Sequence, residues 1–137
     1  MSMSNIEPHE EELAKKLIDD QFISMTGQPF DMKPAGYLVA VKIYVRPEEL
    51  KTITHAEDKY SSVSALVCAV GPEAYQGDKF ERSGPWCKVG DWVLIPRYES
   101  TMVSYRGVAM ALLPDDRVMA VIAGPEDVMS GKFAGDF

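Results

Sequence analysis

Between Tyr37 and Ile122 the chain passes through six short apolar runs, each closed by a residue that stops a strand. Tyr37–Val45 ends before Pro47, and Ser62–Val70 is closed by Gly71-Pro72. Trp92–Ile95 is stopped by Pro96, which has no N–H to give to a ladder. Thr101–Tyr105 and Val108–Leu113 flank Arg106-Gly107, a two-residue hairpin signal. Asp115-Asp116 then turns into Arg117–Ile122, which Gly124-Pro125 ends. Short aromatic and β-branched runs punctuated this often specify a small sandwich or barrel. The sharpest boundary is Lys88-Val89-Gly90-Asp91. Gly90 is placed where a tight turn takes a positive φ, and Asp91 can bond back to the turn's own backbone.

The first 31 residues are of another kind. Ser4 or Asn5 can cap a helix, Pro8 suits its first turn, and Glu10, Glu11 and Glu12 suit its positive end. Leu13, Leu17, Ile18 and Phe22 fall on one face, a stripe too narrow to build a core alone. Such a stripe covers a groove or a neighbouring subunit; the competing reading is a partly ordered acidic tail. The helix is expected to end before the breaker cluster Thr26-Gly27-Gln28-Pro29. The expected organisation is therefore an acidic extension over 1–31, an all-β barrel over 32–124 and a tail over 125–137. In that tail Met129, Phe133 and Phe137 form either a docking peptide or a frayed end.

Composition narrows the chemistry. A chain of 137 residues, 46% hydrophobic and 26% charged, has the length and balance of one globular domain. Its apolar runs, such as Ala65–Val70, are far short of the roughly 20 residues a membrane helix needs. The acidic start has no apolar segment of a secretion signal, so a cytoplasmic location is expected. Net charge is −7, of which residues 1–33 hold −4 (seven acids, three lysines). That balance argues against nucleic acid, whose affinity depends on neutralised phosphates.

No catalytic constellation is visible. His9 and His55 have no ligand-spaced neighbours, so neither a metal nor a cofactor is expected, and no nucleophile motif or phosphate loop occurs. Cys68 reads as a buried small hydrophobe and Cys87 as a free thiol near a turn, both suited to a reducing compartment. Asp115-Asp116 reads as a solvated turn tip, and Tyr75, Tyr98 and Tyr105 as surface or interface tyrosines. Two connections, Arg46–Ser61 and Pro72–Trp86, are too long for hairpins, and loops of that length are commonly functional.

The order of these pieces resembles the co-chaperonin (GroES-like) family. Met32-Lys33-Pro34 followed by Tyr37–Lys42 is similar to its opening strand, and Leu66–Gly71 to its V-L-A-V-G strand end. Lys88-Val89-Gly90-Asp91 with Trp92–Ile95 is similar to its K-V-G-D turn and strand, and Leu112–Ile122 to its closing strand pair. The likeness covers roughly residues 32–123 and suggests a divergent, bacteriophage-type member.

The resemblance implies a non-enzymatic β-barrel that assembles into a seven-membered ring and caps a GroEL-like, ATP-driven chaperonin. Ring pairing would join Met32, Pro34 and Tyr37 of one protomer to Val118, Ala120 and Ile122 of the next. Arg46–Ser61 corresponds to the mobile loop that binds the chaperonin. Where the family usually has glycines and then three aliphatics, this loop offers Leu50, Thr52, Ile53 and Thr54, and it has no glycine. Pro72–Trp86 corresponds to the roof loop, with Tyr75, Gln76, Gly77 and Asp78 at its crest. A virion or capsid-docking protein built on the same barrel is the alternative, because a fold alone does not settle function.

Overall fold

The computed structural model describes residues 8–45 and 62–127. It contains one helix, α1 (Pro8–Thr26), and six strands: β1 (Leu38–Ile43), β2 (Ser62–Val70), β3 (Trp92–Pro96), β4 (Thr101–Tyr105), β5 (Val108–Pro114) and β6 (Ala120–Ile122). Short 3₁₀ turns lie at Asp78–Phe80, Asp115–Arg117 and Pro125–Asp127. The strands form a single sheet ordered β4-β5-β1-β2-β3-β6, with every pairing antiparallel. Among the described residues β4 pairs only with β5 and β6 only with β3, so the barrel is open.

Strand alternation sorts side chains onto two faces. Val39, Val41, Ala65, Val67, Val93, Ile95, Ala111 and Leu113 make the inner core, together with Ala74, Tyr75, Phe80, Cys87 and Val118. Ala40, Leu66, Cys68 and Met110 point the other way. One irregularity preserves the sorting. Val41 pairs with Val67 but Ala40 pairs with Ala69, so Cys68 is the extra residue of a bulge. Cys68 and Ala69 thus both join the outer cluster, and Val70, at the strand's end, packs against both clusters. Without the bulge, one register step would reverse the facing of the strand's end.

The outer face is covered by α1. Ala14, Ile18 and Phe22, spaced four and four, pack against Ala40, Leu66, Cys68, Val89 and Met110. Leu13 and Leu17, expected on that face, are instead 56% and 54% exposed. Each precedes a packed residue by one position, about 100° around a helix of 3.6 residues per turn. The helix runs one residue into the breaker cluster, to Thr26, and stops at Gly27, which takes φ 85° and whose N–H donates to the Ile23 carbonyl at 2.8 Å.

Two features fix α1 on the barrel. Phe22, Phe30 and Tyr105 form an aromatic triangle with centroids 4.9, 5.8 and 5.5 Å apart. The Asp31 N–H donates to the Tyr105 hydroxyl at 2.9 Å, and Arg106 donates to the Pro29 carbonyl at 3.0 Å. Tyr105 is therefore a helix-docking residue, whereas Tyr98 is exposed. Arg106 (φ 52°) and Gly107 (φ 85°) form the hairpin turn read from the sequence. The second feature is Gly90. Its φ is 98°, and a Cβ there would lie 2.9 Å from the Ala14 Cβ. The charged turn and the helix seat are one structure.

Candidate functional site

The candidate functional surfaces lie at the two ends and one edge of the barrel. At one end β1 and β2 open toward residues 46–61. Leu50, Thr52, Ile53 and Thr54 lie outside the described residues. What precedes and follows that loop is firmly placed. The Tyr44 N–H donates to the Ser64 carbonyl at 3.0 Å, and the Tyr44 ring meets Trp92 edge-on at 5.9 Å. Its hydroxyl donates to Glu126 at 3.3 Å.

At the other end is the loop 72–86. Gln76, Gly77 and Asp78 are exposed at its crest, but Tyr75 is only 7% exposed and belongs to the inner core. The residue adopts φ 61°, a left-handed conformation uncommon for a tyrosine, and four partners hold it there. Its N–H donates to Asp115 Oδ2 at 2.8 Å, and its hydroxyl lies 3.3 Å from Cys87 Sγ. Its ring sits 5.1 Å from Phe80 and 6.2 Å from Trp86, with Phe80 and Trp86 at 5.2 Å. Burial, with the thiol partner, raises the Tyr75 phenol above its ordinary range.

Asp115 corrects a second sequence expectation. It is no solvated turn tip but is 6% exposed, satisfied by the backbone of a residue 40 positions earlier. Asp116 beside it forms a 2.6 Å ion pair with Lys79. That hydrogen-bonded ammonium holds the Asp116 carboxyl below the usual carboxylate range. Cys87 is likewise buried, and desolvation pushes its thiol up to about 11; Cys68 is pushed up to about 12 for the same reason. Both thiols are thus neutral near pH 7 and poor nucleophiles. Among the described residues no group of three His, Cys, Asp or Glu is arranged to hold a metal.

The edge residues divide. Tyr37 and Ala120 are exposed, Met32 and Ile122 half-buried, and Pro34 and Val118 buried in the chain's own packing. Residues 27–37 belong to no strand, and β6 is hydrogen-bonded along one side only among the described residues. Tyr37, Met119 and Val121 add exposed apolar surface around this margin. Phe30, the burial of Asp115 and the Ala14–Gly90 contact escaped the sequence reading. Only the third left a signal there, the Ala14-Ile18-Phe22 spacing.

A family model described as the chaperonin 10 kDa subunit matches residues 32–122, the whole barrel from the opening segment to β6. The chain belongs to the chaperonin 10 family. Co-chaperonin function follows from that membership, and such proteins are not enzymes. The chain is 32% identical over 93 residues to the co-chaperonin GroES of Clostridium perfringens strain 13, covering 66% of this chain and 97% of that one. The same figures hold for the co-chaperonin GroES of Clostridium perfringens strain ATCC 13124. The capsid-docking alternative finds no support in these relationships. Helix α1 lies ahead of the residues that match the chaperonin 10 model. No helix among the described residues is long and apolar enough to cross a membrane.

Proposed function

We propose that this chaperonin 10 protein assembles head-to-tail into a seven-membered ring that closes a GroEL-type chaperonin in the cytoplasm. The observation that carries the ring is the pair of unsatisfied margins. Among the described residues β6 has one open side, and the opening segment around Met32, Pro34 and Tyr37 belongs to no strand. An open strand edge is a pairing liability that assembly removes. When the two complementary margins lie on different parts of one surface, the contact is heterologous, and rotation closes it into a ring. In this arrangement Tyr37 meets the neighbour's Ala120–Ile122 stretch, while Pro34 and Val118 hold the two segments on their own barrel.

Chaperonin binding is assigned to the loop 46–61, with Leu50 and Ile53 as apolar anchors beside Thr52 and Thr54. Ordering such a loop costs roughly 1–2 kcal/mol per residue, against about 1.5–3 kcal/mol for burying one aliphatic. Single attachments are then weak, and seven together bind through effective concentration. The crest Gln76-Gly77-Asp78 forms the roof. Native mass measurement of the purified chain tests the ring. Seven copies support it, and a monomer at micromolar concentration overturns it.

A further inference from the structure

We infer that the three-residue corner Asp115–Arg117 couples the roof loop to the subunit-pairing margin, with Asp115 and Asp116 as positioning residues. This rests on the ring reading above and goes beyond it. Four bonds converge on the corner from separate parts of the fold. The Asp115 carboxylate accepts the Tyr75 N–H, and Asp116 accepts the Lys79 ammonium, so both aspartates hold the roof loop. The Asp115 N–H donates to the Tyr37 carbonyl at 3.1 Å, which holds the opening segment. On the far side Arg117 reaches Glu99 at 3.5 Å.

The chain then runs directly from the corner into the pairing edge. Val118 is buried in the inner core, and the Met119 N–H donates to the Leu94 carbonyl at 2.9 Å just before β6 begins. Both halves of the proposed subunit contact, Tyr37 on one side and β6 on the other, are thus tied to the same three residues. Those residues are in turn tied to a tyrosine whose left-handed backbone depends on its partners. Tyr75 carries the Phe80–Trp86 aromatic pair, so displacement at the corner is transmitted to the roof through packed rings. Coupling of this kind is reciprocal: a roof that biases pairing must itself respond when pairing forms.

The test uses the full chain carrying Trp92→Phe, which leaves Trp86 as the one indole of the two in the sequence. Dilution dissociates the ring while native mass and Trp86 emission are followed together. Lys79→Ala removes an exposed partner without opening the core and is expected to raise the half-dissociation concentration about threefold, the scale of a partly exposed ion pair. Asp115→Ala, which strands a buried N–H, is expected to raise it about tenfold or more. Emission should shift on dissociation in the parent and shift less in Lys79→Ala. The charge exchange Lys79→Asp with Asp116→Lys should restore both readouts, which a general loss of stability would not. A ring that assembles equally well in Lys79→Ala, or Trp86 emission indifferent to dissociation, overturns the coupling alone. A parent chain that never forms a ring overturns the ring reading and the coupling with it.

Discussion

Phe22 and Leu113 are both fully buried, yet they lie on opposite faces of the same sheet. Leu113 sits in the inner core, whose members all come from the residues that match the chaperonin 10 model. Phe22 sits in the outer cluster, which is complete only because α1 folds back over it from ahead of the matched segment. The inner face therefore makes the barrel, and the outer face is closed by an addition. The difference teaches that a strand set able to stand as a barrel can carry a second apolar layer, provided the chain supplies its cover.

Removing each anchor breaks the comparison most directly. Phe22→Ala should lower stability by about 3–5 kcal/mol and Leu113→Ala by about 2–5 kcal/mol, measured by chemical denaturation. The sites of loss should differ. In Phe22→Ala, amide exchange should accelerate first in α1 and the Asp31–Tyr105 contact, with β1 and β2 protected. In Leu113→Ala it should accelerate across the whole sheet. Equal exchange of α1 and β1 amides in Phe22→Ala would show that the two faces are one cooperative core.

Gly90→Ala probes the seam between the layers. The positive φ and the collision with Ala14 act together, and a loss of about 1–3 kcal/mol is expected. Adding Ala14→Gly should relieve the steric part and leave the backbone part. A double variant no better than Gly90→Ala after correction for helix propensity would mean that α1 does not press on this turn.

The smallest effects come from the two thiols, one on each face. Cys68 belongs to the outer cluster and Cys87 to the inner. Folding raises both pKa values above 9.0, so their contribution is complete below that pH. It is lost as pH rises through about 11 for Cys87 and about 12 for Cys68. Alkaline titration of stability should therefore fall only above about pH 9. Thiol labelling at pH 8 should be slow at both positions. Phe22→Ala should speed Cys68 and leave Cys87 unchanged, and a matched rise at both would argue against separable faces.

Much of the barrel was legible because its signals are local. Runs such as Val39–Val41 and Trp92–Ile95 carry their own strand character and their own breakers, and the ordered set carried the family. The helix was legible in existence, from its acids, its spacing and Gly27, but not in facing. Leu13 and Leu17 are as apolar as Ile18, and only the docked barrel decides that Ala14 outranks them. Tyr75 and Asp115 were misread for a different reason. Their bond spans 40 residues, and nothing near either residue announces the other. The loop residues Leu50 and Ile53 rest on position within the family pattern alone.

The central claim is that this barrel closes a chaperonin. Native mass spectrometry of the chain mixed with a GroEL-type chaperonin, with and without ATP, addresses it most directly. Seven copies should join the chaperonin when ATP is present, and Ile53→Asp should abolish that complex while the free ring keeps its mass. Association that ignores ATP, or no association by an intact ring, would contradict the account.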